Sequence, residues 1–169
     1  MNLPQAPMTP EQAARNRRII VLVAAVFVAT CIGVTVWARM VVKGAQAEAR
    51  VTDSALRSAA WAILCYAQAN DGAFPTSDAA LVAGVPGTAP PGGKNWPSTV
   101  DNALGGLPAM DASEAVKRIG ITWGGTADVV PNINSKGRPT TFGTVEAVNA
   151  WLTEFNRDRM RDAGRSETK

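Results

Sequence analysis

The sequence predicts an α+β protein in which an N-terminal transmembrane helix continues into an amphipathic helix, packed on a small antiparallel sheet with a C-terminal helix. Ile19 to Ala38 form an apolar run without a charged side chain. Apolar residues recur at helical spacing within Ala45 to Asn70 and again after Thr144, and short β-branched segments lie between glycine-rich turns. With 169 residues, the chain has room for one small domain beyond the span.

The apolar run divides the chain into segments. They are a tail at 1–18, a transmembrane helix at 19–38, a second helix and turn at 39–83, a glycine- and proline-rich loop at 84–108, and a small α+β region at 109–169. About 20 apolar helical residues cross the roughly 30 Å hydrocarbon core of a bilayer. Four residues are expected at the membrane boundaries: Arg17, Arg18, Trp37 and Arg39. The lipid bilayer is therefore the first expected partner.

Orientation depends on the basic residues beside the span, which tend to stay cytoplasmic. Arg15, Arg17 and Arg18 cluster before it, whereas Arg39, Lys43 and Arg50 follow it, so the counts nearly balance. The tighter cluster favours a bacterial inner-membrane protein with a cytoplasmic N-terminus and a periplasmic or otherwise extracytoplasmic C-terminal domain. A cleaved signal peptide is the alternative, with 45–47 (Ala-Gln-Ala) as the cleavage site, but charges separate that site from the apolar run.

The segment from Ala45 to Asn70 is predicted to be helical. Its expected core face consists of Leu56, Ala60, Ile63, Leu64 and Ala67. Gly72 supplies the left-handed residue of a helix C-cap, and Pro75 prevents the helix from resuming. No proline lies between Arg18 and Gly72, so the span and this helix can form one rod, with a bend at Gly44 as the alternative.

The end of this helix carries a recognisable pattern: Tyr66, Asn70, Gly72, Phe74, Pro75 and Thr76. A membrane helix that runs into an amphipathic helix and then into this pattern resembles the N-terminal region of type IV pilins and type II secretion pseudopilins. The resemblance implies a long helix packed on a small sheet and a structural role in an envelope fibre or secretion system. It is partial, because 17–22 (Arg-Arg-Ile-Ile-Val-Leu) stands where pilins carry the prepilin peptidase glycine and an assembly glutamate. The alternative is a generic helix stop with an aromatic residue tucked back onto the helix.

Two further segments are candidate contact surfaces. Trp96 lies in the glycine- and proline-rich loop, where an aromatic side chain either pins the loop to the core or contacts another protein. Arg157, Arg159 and Arg161 alternate with aspartates near the C-terminus. They form either a solvated helix end or a partner contact.

The remaining elements are short. Ser113 to Ile119 is predicted to be a helix with Ser113 as its N-cap, and a three-stranded meander is expected at 119–123, 128–133 and 140–145. The last helix has Thr144 as its expected cap. Its apolar face, at i, i+3, i+4 and i+7, consists of Val148, Trp151, Leu152 and Phe155.

The composition favours a structural or binding protein over an enzyme. The chain has no histidine, so Ser-His and Cys-His nucleophiles are excluded, and Cys31 and Cys65 lie too far apart along a helix to pair. No cofactor, metal, nucleic acid or small-molecule substrate is expected. We expect a pilin-like structural or assembly component of a multisubunit membrane complex that contacts other protein subunits. The alternative is an accessory or sensor subunit that binds a protein partner through its exported domain.

Overall fold

A computed structural model of the chain describes residues 10–84, 90, 93 and 95–166. They form two compact units, with the boundary between Gly44 and Ala45. The elements are α1 (Pro10–Ala69), α2 (Asp78–Ala83), α3 (Val100–Leu104), α4 (Ala112–Arg118), β1 (Gly120–Thr122), β2 (Asn132–Asn134) and α5 (Thr144–Ser166). The predicted α+β class, with a long N-terminal apolar helix, is confirmed.

In the first unit, the apolar side chains of α1 are exposed from Ile19 to Val42. The hydroxyls of Thr30 and Thr35 donate to the carbonyls four residues earlier, at 2.8 and 2.7 Å, so these polar groups are satisfied within the helix. Among the described residues, α1 is the one helix that is long and apolar enough to cross a membrane. A signal sequence near the N-terminus would meet the same criteria.

The core of the second unit is built around the C-terminal part of α1. All five residues predicted for its core face are fully buried, and Val148, Leu152 and Phe155 of α5 join the same cluster. Between Thr52 and Ala67 burial is not confined to one face, since Asp53, Ser54 and Ser58 are buried as well. This part of α1 is therefore a central helix covered on most of its circumference.

The buried polar side chains of α1 hold the surrounding loops. Ser54 donates to Pro108 O, Arg57 donates to Ala103 O at 3.0 Å, Ser58 accepts from Met110 N–H at 3.0 Å, and Asp53 accepts from Thr141 N–H at 3.1 Å. Each bond satisfies a main-chain group outside α1: three of these groups lie in loops, and the Ala103 carbonyl lies in the segment that forms α3. The loops are thus attached directly to the helix.

The sheet consists of β1 and β2, antiparallel, with Ile121 opposite Ile133. Asn149 of α5 lies along the other edge of β2: its Oδ1 accepts from Ile133 N–H and its Nδ2 donates to Ile133 O, both at 2.8 Å. The expected third strand at 140–145 is wrong. The Thr141 N–H is bonded to Asp53, and Asn149 occupies the strand edge where a third strand would pair.

Two predicted helix starts are also wrong. Asp111, not Ser113, caps α4: its carboxylate accepts from Ser113 N–H at 2.8 Å, and hydrogen bonds from the Ser113 side chain and main chain lower the pKa of Asp111. Thr144 is the first residue of α5 rather than its cap, because Ala147 N–H bonds to the Gly143 carbonyl.

The described part of the loop predicted at 84–108 contains a helix, α3. The Thr99 hydroxyl caps its start, and Gly105 ends it at a φ of 59°. A short capped helix thus stands where glycine content predicted continuous loop.

Replacement of Asn149 tests the edge bond of β2. Asn149→Ala leaves the N–H and C=O of the buried Ile133 unpaired, and each unpaired buried group costs about 1–3 kcal/mol. We expect the free energy of unfolding of the full chain in detergent to fall by about 2 kcal/mol or more. Thr153→Ala is the matched control, since its exposed hydroxyl bonds only within α5. Equal unfolding midpoints for the two variants would contradict this role.

Candidate functional site

The candidate site begins where α1 ends. Gly72 N–H donates to Ala67 O at 2.7 Å, the 6→1 bond of a Schellman motif, and Asn70 Nδ2 donates to Tyr66 O at 2.8 Å. Asp71, with a φ of 54°, takes the left-handed position that was predicted for Gly72, and Gly72 follows with a φ of 86°. The pattern residues Tyr66, Asn70 and Gly72 thus end the helix through hydrogen bonds from the Asn70 side chain and the Gly72 N–H to main-chain carbonyls.

The next residues fold back onto the core. Phe74 is buried, its N–H donates to Ala127 O at 2.8 Å, and its ring lies edge-on to that of Phe155 with centroids 6.3 Å apart. Pro75 is fully buried, whereas Thr76 is exposed. The pattern therefore joins the end of α1 to the middle of α5.

Trp96 contacts the same aromatic cluster. Its ring lies edge-on to Phe155 with centroids 5.7 Å apart, and it covers Gly93 so closely that a Cβ there would lie 2.3 Å from ring atoms. Trp96 is only partly buried. Of the two roles predicted for it, pinning the loop to the core is confirmed, while contact with another protein stays a prediction.

The three candidate arginines separate in the structure. Arg159 lies across Gly72, because a Cβ on Gly72 would fall 2.1 Å from Arg159 Cδ, and its Nη2 donates to Asn156 at 3.0 Å. Arg157 pairs with Glu154 at 2.5 Å and Arg161 with Asp158 at 3.3 Å, both within α5. Only Arg159 joins Trp96 and the pattern residues; the other two belong to exposed ion pairs, which contribute little stability.

These residues line an open cavity of about 610 Å³, which we name the Trp96 pocket. Its lining includes the aromatic residues Trp96 and Phe155, the basic residue Arg159, and the acidic residues Asp71, Asp158 and Asp162. An aromatic floor with mostly acidic neighbours suits an apolar or aromatic group accompanied by positive charge.

A second, smaller cavity of about 290 Å³ lies toward the start of the second unit, with Arg50, Asp53 and Arg57 among its lining. Phe142 borders it and is fully exposed. We name residues 141–143 the Phe142 turn. Sequence reasoning missed this turn because it placed these residues in a strand.

Two observations describe the titratable and metal-ligating side chains in the part of the chain that the structure describes. Burial raises the pKa of Cys65 to about 11, so this residue is a neutral thiol at neutral pH. Among the described residues, no group of three His, Cys, Asp or Glu side chains is arranged to hold a metal ion.

Comparison of the chain with protein-family models, with curated proteins and with solved structures gives no match.

Gly72→Ala tests the close approach of Arg159. We expect a loss of unfolding free energy of about 1–2 kcal/mol from the left-handed backbone, and a smaller further loss because the flexible Arg159 side chain must move off Gly72. Gly137→Ala is the control for the backbone contribution, since its φ is +73° with open space around the Cβ position.

The clash contribution is measured by a double-mutant cycle. Gly72→Ala should lower the free energy of unfolding by more than Gly137→Ala does. When Arg159→Ala is added to Gly72→Ala, this excess loss should disappear, as measured by urea unfolding of the full chain in detergent. If Gly72→Ala were no more costly than Gly137→Ala, the packing of Arg159 over this glycine would be refuted.

Proposed function

We propose that this protein is a single-pass, membrane-anchored, pilin-like structural or assembly component of an envelope secretion, fibre or other multisubunit membrane complex. In this proposal, it resides in a bacterial inner membrane with its N-terminus in the cytoplasm and its second unit on the extracytoplasmic side. One observation carries the proposal: a single helix, α1, supplies both the exposed apolar run of the first unit and the buried centre of the second.

The roles of the pattern residues support a pilin-like head. Tyr66, Asn70 and Gly72 end α1, and Phe74 and Pro75 are buried beyond it, so most of the pattern has a packing role. In the proposed protein, the long helix supports the head and the head surface contacts neighbouring subunits. Such a role needs shape and charge on the surface rather than activated nucleophiles or bases.

The second candidate is an accessory or sensor subunit that binds a protein partner through its exported domain. The Trp96 pocket favours it, because a concave site of about 610 Å³ with an aromatic floor is the usual form of a ligand-binding pocket. The two candidates differ in where the partner contact lies: along α1 and the head together, or at the pocket alone.

Photo-crosslinking in intact membranes separates the two candidates. A photoreactive residue at Phe27 reports on contacts of the exposed apolar run, and one at Asp162 reports on the Trp96 pocket. Val129 is a control position, exposed and on neither surface. A structural component should crosslink to protein from both positions, whereas an accessory subunit should crosslink to protein from Asp162 and mainly to lipid from Phe27.

N-terminal sequencing of the mature protein is the second readout. A new N-terminus at the cytoplasmic edge of the span supports a pilin-like component, and an intact Met1 or Asn2 supports the accessory subunit. Recovery of the intact chain in the supernatant after sedimentation of lysed cells would overturn both candidates.

A further inference from the structure

The Phe142 turn holds an aromatic side chain out in solvent on a fixed support. The N–H of Thr141 donates to both carboxylate oxygens of the buried Asp53 at 3.1 Å, and Thr144 on the other side of the turn is buried. Gly143 has a φ of 81°, which allows the sharp entry into α5. Phe142 is therefore a protruding knob on a turn that is tied to α1.

Positive charge accompanies this knob. Arg50 and Arg57 line the cavity that Phe142 borders, and neither makes an ion pair within the described residues. Arg57 lies over the Trp151 ring at 5.7 Å, and its Nε is buried without a hydrogen-bond partner. The surface around Phe142 thus combines an exposed ring with guanidinium charge.

The Trp96 pocket has the complementary character. Its floor offers the rings of Trp96 and Phe155, and its lining includes Asp71 and Asp162, which make no ion pair among residues 10–84 and 95–166. Asp158 is already paired with Arg161. A cavity of about 610 Å³ has room for one aromatic side chain.

We infer that the occupant of the Trp96 pocket is a second copy of this chain, whose Phe142 inserts against Trp96 and whose Arg50 faces Asp71 and Asp162. This inference rests on the proposed assembly function and names the head surfaces that would carry it. Edge-to-face packing of aromatic rings and opposite charges at the rim favour this pairing over an unrelated segment.

The knob and the pocket lie at opposite ends of α5. Thr144 follows the Phe142 turn and Ala163 lines the pocket, which places them about 28 Å apart along the helix axis. Donor and acceptor are therefore different patches. One knob-in-pocket contact permits two arrangements: a row, in which each copy gives its knob to one neighbour and its pocket to another, and a two-fold pair, in which each copy fills the other's pocket. The size of the oligomer in detergent distinguishes them, since a row grows beyond two copies and the reciprocal pair does not.

Disulfide trapping tests the contact in the full chain in detergent. In a background of Cys31→Ser and Cys65→Ala, one tagged chain carries Thr141→Cys, which keeps Phe142, and a differently tagged chain carries Ala163→Cys beside the pocket. Mixing the two should give a disulfide-linked heterodimer under mild oxidation. A chain with Val129→Cys, exposed but away from the turn, is the matched control for random collision.

The specificity of trapping is tested on the knob and on the charges. Phe142→Ser should slow trapping by about tenfold or more, as expected for loss of a central aromatic contact. Arg50→Glu should also slow it, and Asp162→Arg in the other chain should restore it. Urea unfolding of each variant and of its parent shows whether the variant is folded. If Phe142→Ser is unfolded, Arg50→Glu and Asp162→Arg still test the contact, because both change exposed residues.

The inference would be overturned if the disulfide formed no faster than with the Val129→Cys chain. It would also be overturned if neither Phe142→Ser nor Arg50→Glu slowed formation of the disulfide. A dominant linkage between two Thr141→Cys chains would do so too, because it places two Phe142 turns against each other instead of one turn against a pocket. Crosslinks from Phe27 to protein would survive such a failure, so the proposed function and this inference can fail independently.

Discussion

Burial of α1 between Thr52 and Ala67 on most of its circumference is the constraint on which the second unit depends. Each buried polar group that lacks a hydrogen-bond partner costs about 1–3 kcal/mol. Asp53, Ser54 and Ser58 therefore bond to the main chain of loops, which supply the complementary groups. Because these loops are attached to α1 itself, the sheet can remain a pair of three-residue strands, too small to be stable alone.

The same constraint fixes the course of the chain. Asp53 lies beside Thr141 just before α5, and Gly72 lies beneath Arg159 near its end, so α1 and α5 run in the same direction through the core. Parallel helices require a return path, and the residues between them provide it through α2, α3, α4 and the sheet. Glu48 ties this path to the start of the unit through ion pairs from α4 and from the loop after β2.

Sequence patterns predicted the features of the fold that depend on neighbouring residues along the chain. Helical periodicity identified the buried faces of α1 and α5, because a 3.6-residue repeat is a property of contiguous sequence. The third strand failed because the Thr141 N–H bonds to Asp53, 88 positions earlier, and no local pattern reports such a partner. Trp96 and Arg159 were identified as candidates from the sequence. The packing of Trp96 on Phe155 and of Arg159 on Gly72 depends on the tertiary structure, so the sequence could not predict that both side chains line one pocket. The segment at 84–108 was predicted to be a loop because of its glycine and proline content. It contains α3 because the Thr99 hydroxyl caps the start of this helix, a signal that the prediction did not weigh.

In the proposed assembly, the span and the second unit offer different surfaces for contact with other subunits. Apolar helices in lipid associate through small residues and polar groups, and Ile19 to Ala38 contains no carboxylate that could pair with a neighbour. Its threonine hydroxyls are already bonded within the helix. In the proposed assembly, the span provides retention in the membrane, and Ala25, Ala29 and Gly33, spaced four residues apart, give it one face suited to close helix packing. The second unit adds a different kind of surface, with an exposed ring, guanidinium groups and carboxylates held in place by its core.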